Sequence, residues 1–248
     1  MNYILETCAD SVQSAIEAKK GGANRIELCS NLVIGGTSPG ESLFRQVKEQ
    51  TGLNVRVLLR PRFGDFCYDN YEFRMILDEV RMFRKLGADG IVIGILNPDG
   101  TLNMEQMKAL VEEAGGHGNY AAIVPLMFAG ILMRQWSSVF HWGLIRSLQA
   151  DRKSSAWEGR DLIKDLVKKS AGRIEILAGA GINPESIAKL APYTNARAYH
   201  MSGKVVIDSR MEFRREGVPM GIPGFSEFEI WQTSAENIRK AVQVLQEL

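Results

Sequence analysis

Two cysteines set in short apolar runs, Cys8 in Leu5-Glu6-Thr7-Cys8 and Cys29 in Ile26-Glu27-Leu28-Cys29, are the first residues of this chain that could carry chemistry. Each follows a glutamate by two positions. If both runs are β-strands, alternation puts Ile4, Glu6 and Cys8 on one face of the first and Arg25, Glu27 and Cys29 on one face of the second. Leu5, Ile26 and Leu28 then point the other way and must meet a covering layer, so the glutamates, Arg25 and the thiols share an interior. Adjacent strands lie about 4.8 Å apart, close enough for the two sulfurs to meet. Paired soft thiolates suit Cu(I) better than a hard cation. Two small residues packing a buried mouth would leave the same pattern. Glu6 and Glu27 are the candidates for general acid and base.

Arg60-Pro61-Arg62-Phe63-Gly64-Asp65 brings two arginines and an acid into one short loop. Guanidinium forks fit carboxylates and phosphates, so Arg25, Arg60, Arg62 and Asp65 are candidates for holding a small anion. Equally, Arg60 could neutralise Glu6 or Glu27 as a structural ion pair. The run from Leu177 to Pro184 sets Gly179 and Gly181 between an apolar stretch and a helix start, where backbone N–H groups can bind an anion. A plain left-handed turn explains that spacing as well. Ser202-Gly203 repeats the arrangement one unit later, just after His200, a further candidate for proton transfer. Met75, Met82 and Met107 recur at helix-face spacing and read as core.

The elements that must position these groups alternate. Strands are expected over residues 3–8, 25–29, 55–60, 90–96, 173–178 and 196–201. Helices are expected after Asp10 as N-cap, over 41–50, 71–86 and 104–114, from about Pro184, and from Ser234 to the end. Strand-helix alternation predicts a parallel sheet. If residues 117–158 supply two more strands, the count reaches eight, and the fold is a single α/β domain over 1–248, a (β/α)8 TIM-type barrel with strands 5 and 6 in doubt. The candidate residues then fall at the carboxyl ends of strands, where barrel enzymes keep their sites. With 30 Lys+Arg against 29 Asp+Glu there is no basic field for nucleic acid or an anionic membrane. Three cysteines, an odd number without CxxC spacing, fit a reducing compartment, and the amino terminus reads as no signal segment. A cytoplasmic protein is expected.

The motifs Leu5-Glu6-Thr7-Cys8, Gly21-Gly22-Ala23-Asn24-Arg25-Ile26-Glu27-Leu28-Cys29-Ser30, Gly35-Gly36-Thr37-Ser38-Pro39, Arg60-Pro61-Arg62-Phe63-Gly64-Asp65-Phe66-Cys67-Tyr68 and Met211-Glu212-Phe213-Arg214 closely resemble the copper homeostasis protein CutC family. The resemblance covers residues 3–116 and 154–248. It implies a cytoplasmic barrel, usually a homodimer, with Cu(I) held by Cys8 and Cys29, and no organic cofactor is expected. The same residues also compose an enzyme on a small anionic or phosphorylated substrate. There Glu6 or Glu27 transfers protons, Arg60 and Arg62 clamp the substrate, and Gly179 to Gly181 with Ser202-Gly203 cradle its anion.

Residues 117–153 depart from the family, lacking its His-Arg-Ala-Phe-Asp and Leu-Thr-Ser-Gly motifs. Ala122-Ile123-Val124-Pro125-Leu126-Met127-Phe128 can be encoded GCC ATC GTG CCT TTG ATG TTT. Read from the last base of the first codon, that string gives His-Arg-Ala-Phe-Asp-Val. The same offset around Ser147 permits Leu-Thr-Ser-Gly, and Trp142-Gly143 forces a glycine where the family has one. His117 to Ala121 read in the remaining frame permit Met-Glu-Ile-Thr-Leu, a good fifth strand, and agreement at one offset beyond it predicts that residues 117–153 are frameshifted translation of a family-type segment.

Overall fold

The computed structural model describes residues 3–115, 121–122, 146–149, 155–215, 217 and 224–248. Apart from two short strands, the frameshifted stretch expected over 117–153 lies outside them. The alternation of the sequence is otherwise realised: β1 (Ile4–Ala9), α1 (Val12–Gly21), β2 (Arg25–Leu28), α2 (Glu41–Thr51), β3 (Asn54–Leu58), α3 (Asn70–Lys85), β4 (Gly90–Ile93) and α4 (Met104–Glu113). After β5 (Ala121–Ala122) and β6 (Arg146–Gln149) come α5 (Arg160–Ser170), β7 (Ile176–Gly179), α6 (Pro184–Thr194) and β8 (Ala198–Met201). A hairpin of β9 (Lys204–Asp208) and β10 (Glu229–Thr233), absent from the sequence expectation, precedes the terminal α7 (Ala235–Glu247).

The large sheet is parallel and runs β5-β4-β3-β2-β1-β8-β7-β6. The first strand pairs with both the second and the eighth, Glu6 lying opposite Arg25 on one side and His200 on the other. That pairing bends the sheet round into a barrel, and β5 and β6 bring Cα atoms within 8 Å of each other across the seam. No ladder joins those two among the described residues. The outward residues Leu5, Ile26, Leu28, Val55, Val57 and Ile91 are fully buried beneath Ala15, Ala18, Phe44, Val47, Ile76, Val80 and Phe83 of the helices. A strand covered on both faces must be apolar outside, which leaves its polar residues only the interior. Among the described residues no helix is long and apolar enough to cross a membrane.

Local chemistry corrects two expectations. Ser11, not Asp10, caps α1, its Oγ accepting from Ser14 N, while Asp10 accepts from Leu32 N and ties down the β2–α2 loop. Met75 is half exposed, because the buried stripe of α3 runs through Ile76, Val80 and Phe83 and Met75 lies one residue off it. Met107 is buried and Met82 packs on the core as expected.

The end of α1 sits hard against α7. A Cβ added at Gly21 would lie 2.5 Å from Cβ of Ile238 and 2.7 Å from the carbonyl of Ala235, neither of which can swing away. Gly21→Ala should therefore cost about 1–3 kcal/mol by overpacking. A thermal melt reads this as a drop of several degrees; an unchanged midpoint would mean that α7 slides freely on α1.

Candidate functional site

The interior of the barrel is a network of buried charge set by strand register. Because Glu6 is flanked by Arg25 and His200, its carboxylate is held from both sides: Arg25 Nε donates to Oε2, and Nδ1 of His200 lies 2.8 Å from Oε1. Arg25 also reaches Glu175, with Nη2 2.8 Å from Oε1. One step up the sheet, Cys8, Glu27 and Arg56 stand side by side on β1, β2 and β3. Glu27 and Arg56 are both more than nine-tenths buried, yet Glu27 Oε2 and the Nε and Nη1 of Arg56 have no hydrogen-bond partner among the described residues. Buried polar groups are costly to leave unmade, so unpaired ones concentrated at one place call for partners beyond the described residues, from the chain or from a ligand.

Those contacts push the two carboxyls apart. Burial alone would raise Glu6, but the His200 hydrogen bond and the charges of Arg25, His200 and Arg56 outweigh it and hold the group at about 2. Glu27 shares the burial without the hydrogen bond, and with Glu6 repelling it the carboxyl rises to about 7 despite His200, Arg25 and Arg56. Burial disfavours a charged His200, yet Glu27, Cys8 and Glu6 raise it well above its ordinary value. Two carboxyls in one interior, one permanently ionised and one poised near neutrality, are the arrangement acid–base chemistry needs.

Above this network opens a cavity of about 340 Å³ lined by Cys8, Glu27, Cys29, Arg60, His200, Ser202 and Lys204, with Ala180 and Gly181 at its rim. Cys8 and Cys29 are both buried in its wall. Cys29 packs with Leu58, Val92 and Leu32, and its thiol faces the carbonyl of Ala9 at 3.7 Å. Burial, then the neighbouring Cys8 and Glu27, pushes the Cys29 thiol far up. A larger cleft of about 700 Å³ lies at the opposite end of the strands, beside Ile4, Ile176 and Ala198. The chemistry-bearing residues gather at the mouth instead, the carboxyl-terminal end of the strands.

The arginines of the β3–α3 loop separate in role. Arg60 is buried and pairs with neither glutamate. Its Nη1 donates to the carbonyl of Gly36 and more weakly to that of Gly35, its Nη2 to Gly64, and its guanidinium lies over Phe66. Gly35 and Gly36 both take positive φ, 89° and 87°, a conformation that turns those carbonyls toward Arg60 and that side chains resist. Its Nε alone lacks a partner among the described residues. Arg62 and Asp65 do not line the cavity. They bond to each other, and Arg62 also to Glu72 and the carbonyl of Cys67, which fastens the loop to the start of α3. Gly179 ends β7, and Ala180 and Gly181 make a left-handed turn into α6. Gly203 turns away from the cavity, since a Cβ there would strike Ile238 at 2.6 Å. Arg56, Glu175 and Lys204 were missed by sequence reasoning. For Arg56 the signal was present, because the alternation that turns Glu6 and Glu27 inward does the same between Val55 and Val57.

Similarity to known proteins follows this geometry. The sequence profile of the CutC family matches residues 3–205. A CutC family protein of Bacteroides fragilis is 35% identical over 246 residues, covering 98% of this chain and 97% of that one. The human copper homeostasis protein cutC homolog is 34% identical over 244 residues, covering 96% of this chain and 87% of its own. A crystal structure from Streptococcus agalactiae named for the copper homeostasis protein CutC superposes with a TM-score of 0.73 at 25% identity, over 81% of this chain and 98% of the other.

Proposed function

The chain belongs to the CutC family, and from that premise we propose that it serves copper homeostasis by taking up Cu(I) on the thiols of Cys8 and Cys29. The observation that carries this is the placement of both sulfurs in the wall of one cavity, next to each other in charge terms, with Cys29 against an apolar patch. Soft thiolates in a water-poor setting suit a soft monovalent cation, and a thiol held protonated by burial becomes a thiolate when the cation displaces its proton, which leaves to a neighbouring base or to solvent. In this reading the protein works as a homodimer in the cytoplasm, where thiols stay reduced.

A second reading is favoured by a specific feature, the Nε of Arg60, which has no partner among the described residues and stands on the same cavity as Lys204, Ser202 and Gly181. It makes the protein an enzyme on a small anionic substrate, with Glu27 transferring protons.

Titration of Cu(I) against a competing chelator tests the first reading. Serine at either Cys8 or Cys29 should weaken binding by on the order of 100-fold, because oxygen is a poor ligand for a soft cation, and Cys67→Ser should leave it unchanged. Equal affinity in all variants would remove copper from these thiols. Thermal stabilisation by inorganic phosphate in that case would leave the enzyme reading standing.

A further inference from the structure

We propose that Glu6, Glu27 and His200 form a second metal site of nitrogen and oxygen donors, which takes a zinc-class divalent cation independently of the cysteines. One donor atom from each lies within 4.8 Å of the others. Nδ1 of His200 and Oε1 of Glu6 are 2.8 Å apart. Two donors on one tetrahedral cation, each bonded at about 2.1 Å, stand about 3.4 Å apart, so this pair need open by only about half an ångström to share an ion.

An independent observation points to a ligand. Glu27 is 6% exposed, lines the cavity, and keeps its Oε2 without a partner among the described residues. A carboxylate oxygen buried to that depth needs a proton, a donor or a cation, and no donor among the described residues reaches it. The shell around the three is also of the kind that orients metal ligands. Arg25 holds the far oxygen of Glu6 and is itself tied to Glu175, which fixes the Glu6 carboxylate.

Charge permits the ion. Arg25 and Arg56 face the cluster and oppose a cation, but Glu6, Glu27 and Glu175 face it too. Once the cation has displaced the proton of His200, the three carboxylates exceed the two guanidiniums by one negative charge, which a divalent ion more than compensates. The donor set selects the ion class. One imidazole and two carboxylates suit zinc and its neighbours, whereas Cu(I) prefers the sulfurs a strand position away. Cys8 hydrogen-bonds His200 at the edge of this cluster, so the double serine variant is what separates the site from the copper reading.

The test is metal titration of the full chain and of a Cys8→Ser, Cys29→Ser double variant. Co2+ is followed by its visible spectrum, and Zn2+ by competition with a chromophoric chelator. The double variant should keep one site, with cobalt d–d bands and no thiolate-to-cobalt charge-transfer absorption. Glu27→Gln and His200→Ala should each weaken Zn2+ by on the order of 100-fold, while Asp65→Asn, at an exposed loop carboxylate, should not. The unmutated chain guards against misfolded variants, since its own cobalt spectrum must also lack the thiolate band. A thiolate band, loss of the site in the double variant, or unaltered Zn2+ affinity in Glu27→Gln would each overturn the assignment, and none of them bears on Cu(I) binding.

Discussion

Replacing residues 117–153 with the segment read at the other offset should raise the melting temperature by more than about 10 °C and turn a broad transition into a sharp one. At about 2–4 °C per kcal/mol for a chain of this size, that is a gain of several kcal/mol. A barrel is stable because each strand finds a ladder on both sides, and an open edge in a buried parallel sheet leaves backbone groups unpaired. Here β5 has two residues, and no ladder joins β5 to β6 among the described residues. The offset reading would supply a full fifth strand with an imidazole and a carboxylate on one face, four positions apart as alternation allows. Such a carboxylate would partner the Nε and Nη1 of Arg56, which have no partner among the described residues. Calorimetry and soluble yield of the two chains decide the matter. If the chain as given melts as high and as sharply, residues 117–153 are authentic sequence.

Glu27→Gln should stabilise the protein at pH 8, with chelator present, by about 3 kcal/mol, although it deletes a candidate functional group. A carboxyl raised to about 7 from 4.5 binds its proton more tightly when folded. At about 1.4 kcal/mol for each unit of pH, folding loses about 3 kcal/mol as pH rises from 4.5 through 7. Glu6 runs the other way. Held at about 2, it contributes stability that is fully present above 4.5 and lost as pH falls toward 2. His200, raised, contributes stability present below 6.5 and lost only as pH climbs through its folded value. Together these groups set a maximum near pH 4.5 in the native chain. The glutamine variant should match it at pH 4 and keep its stability through pH 7. Denaturant melts across this range check the expectation, and a variant less stable than the native chain at pH 8 would show that Glu27 is a structural anion after all.

The unexpected hairpin of β9 and β10, the split of Arg60 from Arg62 and the two Arg56 nitrogens without a partner among the described residues carry a common lesson about what local pattern can reveal. Strand-helix alternation was legible because its periods, two and about 3.6, are imposed by backbone geometry residue by residue. The inward set of Glu6, Cys8, Arg25, Glu27 and Cys29 was legible for the same reason, since a strand covered by helices leaves its polar side nowhere else to go. Family membership was legible in the motifs of those strands and their loops.

Partnership was not. Arg25, rather than Arg60, neutralises Glu6 because β1 and β2 pair in one register, and register is fixed by the whole closed sheet. Arg62 and Asp65 were read as part of an anion site, but the first turn of α3 captures them through Glu72 and the loop backbone. His200 meets Glu6 from 194 positions away because the eighth strand returns to the first. The sequence by itself determined which side chains enter the barrel, because that depends on neighbours one and two residues away. Only the tertiary structure decided which charges meet and which stay unpaired, and so which glutamate is held ionised and which is left poised, because Coulomb and desolvation energies depend on distances between strands that no local pattern contains.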